Sequence, residues 1–179
     1  MVDAHTIISF WFEETPSELW FIKDETFDRT ISKKFSDIFA AASKGELFSW
    51  RQEPIGRLAE IIVLDQFARN MFRGSAKSFA SDSLALVLAQ EAVAQHAHLA
   101  LLDKQRPFLL MPYMHSESKL VHAEALKLFK EHAAGNLYFE IGHKKIIDRF
   151  GRYPHRNEAL GRKSTAEEIA FLKEPGSSY

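Results

Sequence analysis

The sequence predicts an all-α protein of about seven to nine helices. Apolar residues recur at three- and four-residue spacings in segment after segment, which is the period of one helix face. Helix start and stop residues bracket those segments. No sustained apolar/polar alternation and no hairpin turn competes with them. The 179 residues predict one domain over 1–179, large enough to bury a real core without covalent staples.

In chain order, Thr15-Pro16-Ser17-Glu18 reads as a helix start: a capping hydroxyl, proline at the first helical position, then glutamate. Asp24 caps a helix whose Phe27, Ile31, Phe35, Ile38 and Phe39 share a face, and Gly45 stops it. Pro54 opens a long helix, apolar nearly all round from Ile55 to Leu64, as a central buried helix is. Ser81-Asp82-Ser83 precedes an alanine- and leucine-rich helix ending in Gln95-His96-Ala97-His98, where both histidines are expected in solvent. Ser116 is the expected cap of the next helix. Tyr138 to Phe150 is amphipathic and stops at Gly151; Pro154 begins a short helix; Ser164 to Glu168 is a capping box. The tail from Glu174 to Tyr179 is expected at the surface. No repeat at ~34 residues, the helical-hairpin period, is visible.

The formal net charge is -1 and the pI about 6.7, which argues against nucleic acid as a partner. The chain has no cysteine, so disulfides, thiolate metal sites and cysteine nucleophiles are excluded. The N-terminal apolar run is short and flanked by Asp3, Glu13 and Glu14, and nothing approaches ~18 apolar residues. A cytoplasmic protein that does not enter a membrane is expected. Walker, dinucleotide, H-E-x-x-H and G-x-S-x-G motifs are all missing, and neither cofactor nor metal is implied.

Polar residues that sit against the apolar pattern mark the candidate site. Asp65, Gln66, Arg69, Asn70 and Arg73 end the long central helix, with Asp65 and Arg69 on its buried side. Buried charges are costly unless paired, so the two either pair with each other or wall a polar pocket. His115, Ser116 and Glu117 form a turn; they read as capping residues or as acid–base groups. His143 lies on the apolar stripe of its helix, a place for a hydrogen-bonded core histidine or a site residue. Arg149, Arg152, His155, Arg156 and Asn157 crowd one tight corner. So many cations need an anion, either an internal one (Asp65, Glu117 or Asp148) or a bound one.

The blocks "SFWF", "LDQFARNMFRGSAKSFASD", "PYMHSES", "FGRYPHRNEALGR" and "STAEEIAFL" resemble, in order, the bacterial domain of unknown function 924 family. The resemblance implies a tetratricopeptide-like antiparallel helical array and no particular activity. Its polar blocks fall on the site residues already named. Three positions depart from the family pattern: alanine replaces proline at Ala68, serine an acidic residue at Ser118, and histidine a glutamine at His122.

The leading expectation is a pocket for a small anionic ligand bearing a carboxylate or phosphate, held by Arg69, Arg152 and Arg156. A hydrolase or transferase with His115 or His155 as base and Glu117 as orienter is the second reading. It requires a histidine and a carboxylate within ~2.6–3.2 Å in a cleft. A protein-interaction module displaying Trp11, Trp20 or Trp50 is the third. A homodimer through an exposed helix face stays open.

Overall fold

Ile7, Trp11, Leu58, Ile61, Ile62, Leu64 and Phe67 have no or almost no exposed surface, and the elements that carry them form the centre of the molecule. The structure is a computed structural model and describes residues 2–177. Among these residues it contains helices and turns and no strand.

Helix α1 (Ala4–Ser9) starts at Asp3, whose side chain accepts from the Thr6 N–H, and runs on through a π turn, Phe10–Glu14. The Thr15 hydroxyl donates to the Phe10 carbonyl at 2.7 Å. Thr15 therefore closes this helix instead of opening the next, and the expected start at Thr15 reduces to one 3₁₀ turn, Ser17–Leu19. Helix α2 (Glu25–Ser43) begins as expected, with Asp24 accepting from the Phe27 N–H at 2.7 Å.

The central helix has three parts: α3 (Pro54–Ile62), a π turn over Val63–Phe67, and α4 (Ala68–Met71). The π turn leaves backbone carbonyls to be satisfied from outside the helix ladder. The Ser81 hydroxyl donates to the Leu64 carbonyl at 2.7 Å and Arg69 Nη1 to the Asp65 carbonyl at 2.8 Å. Gly56 lets α3 lie directly against the 3₁₀ turn Phe48–Gln52, since a Cβ there would overlap the Trp50 carbonyl. Fully buried Glu60 takes a two-pronged bond from Arg51, 2.7 Å on each side.

Helix α5 (Asp82–Ala94) is followed by a turn at His96, whose φ of 57° is left-handed. His96 is exposed, but His98 is buried 4.6 Å from the His132 ring, which corrects the expectation of two solvated histidines. Helix α6 (Arg106–Met114) was not apparent in the sequence and is buried from Pro107 onward. Helix α7 (Lys119–His132) is capped by Ser118, which accepts from the Val121 N–H, and not by Ser116. Helix α8 (Leu137–Phe150) stops at Gly151 with φ +71°, as expected, and Pro154 to Arg156 is a single 3₁₀ turn. Helix α9 (Ala166–Phe171) starts with the expected capping box between Thr165 and Glu168.

Helices α5, α6, α7 and α8 pack in sequence order, as in a helical array. The first half does not follow that order: α3 touches α1, α5 and α6, and α2 lies on α4. Aromatic rings fill the space between, with Phe35 and Phe67 at 4.9 Å, and Phe108 both 5.8 Å from Trp11 and 5.0 Å from Trp20. Trp11 is fully buried and Trp20 and Trp50 partly so. No helix among the described residues is long and apolar enough to cross a membrane. In the tail, Glu174 to Gly176 are exposed, Ser177 is buried, and Ser178 and Tyr179 lie outside the described residues.

Candidate functional site

The π turn and α4 place Gln66, Arg69, Asn70 and Arg73 along one wall of a cavity of about 450 Å³. The end of α6 brings Met111, Met114 and His115 to its floor, and α8 brings Phe139 and His143. The turn after Tyr153 supplies His155 and Arg156, and Trp20, Phe21, Ile22 and Phe79 complete the walls. Phe21, Ile22 and Phe139 are about half exposed or more, so the cavity has an apolar rim.

Asp65 lies behind the floor with almost no exposed surface. Its Oδ1 meets His115 Nδ1 at 2.7 Å and Arg69 Nη1 at 3.1 Å, and its Oδ2 accepts from Gln66 Nε2 at 2.5 Å. Burial pushes this carboxyl up, but the Arg69 guanidinium and the bonds from His115 and Gln66 outweigh it. They hold Asp65 well below the usual carboxylate range. The expected Asp65–Arg69 pair is present, and it does tie down the following loop. Arg69 reaches Asp82 with both Nη atoms, at 3.0 and 3.1 Å.

Arg156, also almost fully buried, donates Nη1 to Asp82 at 3.1 Å and Nη2 to the His115 carbonyl at 3.1 Å. Its guanidinium lies between the rings of Phe79 and Tyr153, 4.6 and 4.5 Å from their centroids. Two arginines thus meet two carboxylates, and both carboxylates lie outside the cavity lining. At the rim Arg73 and Asn70 hold Asp28 of α2, with Arg73 Nε at 2.7 Å.

The three histidines of the lining are poor proton binders. Burial lowers His115, with the Arg69 charge acting the same way and Asp65 pulling against them. Burial takes His143 down to about 3, although its Nδ1–H donates to the Phe139 carbonyl at 2.8 Å. Burial and then the Arg156 charge take His155 down to about 4.

Not every sequence-predicted residue is brought here. Glu117 accepts from the Tyr153 N–H at 2.7 Å and from both Nη atoms of Arg162 at 2.6 and 2.9 Å. It is a strut for the corner, and the carboxylate that orients His115 is Asp65. The Ser116 carbonyl is bonded to His122 Nε2 at 2.9 Å. Arg152 grips Glu168 at 2.6 and 2.8 Å, Arg149 pairs with Glu167, and buried Asn157 bonds Ser164 and Glu168. None of these five side chains lines the cavity. The anions that answer the crowded corner are therefore Asp82, Glu117, Glu167 and Glu168. Asp65 serves Arg69, and Asp148 is held by Lys144. Sequence reasoning missed Asp82 and the aromatic walls. Asp82 carried one signal, a carboxylate in the first turn of the helix after the Arg69 loop.

Fold and site together define an all-α protein built around a cavity lined by cations and aromatic rings. The chain belongs to the family described as bacterial protein of unknown function, DUF924, whose model matches residues 7–176. This bears out the resemblance carried by its sequence blocks. The chain is also similar to a solved structure of a protein of unknown function, ATU0120 from Agrobacterium tumefaciens. The two share 36% identity and a TM-score of 0.90, over 95% of this chain and 96% of that one. No curated protein matches the chain.

Proposed function

We propose that the cavity binds a small acidic molecule with an apolar body, its carboxylate or phosphate end down and its apolar end at the rim. One observation carries this reading: among the described residues the lining holds three arginines and three histidines and no aspartate or glutamate. The partner carboxylates neutralise the guanidiniums from behind and leave donor nitrogens without acceptors. Arg69 Nε makes no hydrogen bond among the described residues. A ligand oxygen in the cavity meets such a donor in a charge-assisted bond, worth about 1.5–3 kcal/mol. The volume suits a small ligand.

Calorimetric titration with straight-chain carboxylates and phosphates, against the matching alcohols, tests the proposal. Affinity should rise about fourfold per methylene, from ~0.8 kcal/mol each, until the cavity is full. The alcohols should bind at least about tenfold more weakly, the loss of one charge-assisted bond. Equal binding of acids and alcohols, or no binding at all, would overturn it.

A further inference from the structure

We infer that Asp65 and His115 form a general-base dyad that hydrolyses carboxylic esters whose acyl part occupies this cavity. The inference rests on the acidic-ligand reading above and sharpens it: the anion the lining favours is the one formed as the ester is attacked.

The geometry comes first. His115 Nδ1 is 2.7 Å from Asp65 Oδ1, inside the reach that base and orienter require. Asp65 can only accept here, because Arg69 and Gln66 hold its carboxylate ionised. That fixes His115 as the Nδ1–H tautomer and leaves Nε2 with its lone pair. Nε2 makes no hydrogen bond among the described residues, and the ring lines the cavity. Arg69 and His115 share the same Asp65 oxygen, and both side chains line the cavity.

The nucleophile is water. Ser78, a hydroxyl of the cavity lining, already donates to the Phe72 carbonyl, and among the described residues no hydroxyl bonds His115. In the first step water gives a proton to His115 Nε2 while its oxygen bonds to the ester carbonyl carbon. The carbonyl electron pair moves to oxygen. In the second step that pair returns, the bond to the alcohol oxygen breaks, and the imidazolium hands its proton to the leaving alkoxide. The products are a carboxylic acid and an alcohol. The apolar rim of Phe21, Ile22 and Phe139 suits an acyl chain longer than acetyl.

The experiment measures hydrolysis of p-nitrophenyl esters from acetate to decanoate by the wild-type protein, His115→Gln and Asp65→Asn, each below its melting temperature. Binding of the matching carboxylates is titrated in parallel. Wild-type kcat/KM should exceed that of His115→Gln by at least about 100-fold, and Asp65→Asn should lose about tenfold or more. His115→Gln should still bind the matching carboxylates, because the three lining arginines remain, and no acylated protein should appear by intact mass. Carboxylates that bind while no ester is turned over above the His115→Gln rate would sink the dyad and leave the pocket standing. So would full activity in His115→Gln or a stable acyl-protein. Failure of every carboxylate to bind would remove both readings.

Discussion

Replacing Glu117 by alanine separates a structural role from a site role. The change deletes a two-pronged bond to Arg162 and the acceptor of the Tyr153 N–H, which together fasten the 151–162 corner to the turn between α6 and α7. A hydrogen bond to a charged group contributes about 1.5–3 kcal/mol. Both side chains of the pair are about a quarter exposed, and that solvent screens it, so the loss should be about 2 kcal/mol. For a chain of this size that is a fall of about 4–8 °C in melting temperature. Circular-dichroism melts of the two proteins measure it. The pH dependence adds a second check. Burial pushes the Glu117 carboxyl up, but Arg162 and the Tyr153 N–H outweigh it, so its folded pKa lies below its unfolded value. Its contribution is then fully present above about pH 4.3 and is lost as pH falls through the folded value. The gap between wild type and Glu117→Ala should narrow as pH falls from about 4.3. Equal melting at neutral pH, or a gap that widens on acidification, would refute the strut.

Gly56→Ala should destabilise by about 1–3 kcal/mol, because the new Cβ meets the Trp50 backbone, which cannot move aside; a gain of ~1 kcal/mol, the ordinary propensity effect in a helix, would mean α3 does not lie so close. Arg152→Ala should lower the melting temperature yet leave carboxylate affinity unchanged, since its guanidinium is spent on Glu168 outside the cavity. The His143 and His155 rings should be neutral at pH 6, with imidazole nitrogen shifts as the readout. Their folded pKa values are depressed, so the unfolded chain takes up these protons first, and melting temperature should fall steadily from about pH 6.5 downward. A protonated ring at pH 6 would contradict the burial of either.

What the sequence made legible was each residue's conflict with its own surroundings. Asp65 and Arg69 are charged on a buried helix face, His115 stands in a turn and Arg156 in a corner crowded with cations, and all four meet at the site. Who pairs with whom was not legible, because it depends on distant chain. Arg156 finds Asp82 across 74 positions, and no local pattern encodes that. The rim was invisible for another reason: Phe21 and Phe139 look in sequence like the phenylalanines of the core. Caps slipped by short distances where several candidates stand close together, as with Ser116 and Ser118. Helix α6 was hidden by Pro107 and Pro112, each a usual sign that a helix starts or stops.

The π turn at Val63–Phe67 makes one wall of the cavity a matter of counting. A π turn holds one residue more than the α turn it replaces. Loss of a single residue there would restore an α-helix and turn everything downstream by about 100° about the axis. Arg69 would swing off Asp82, and Asn70 and Arg73 off Asp28, with none of them substituted. In relatives of this protein, chain length between Ile62 and Ala68 is therefore as much a determinant of what the cavity accepts as the identity of the residues that line it.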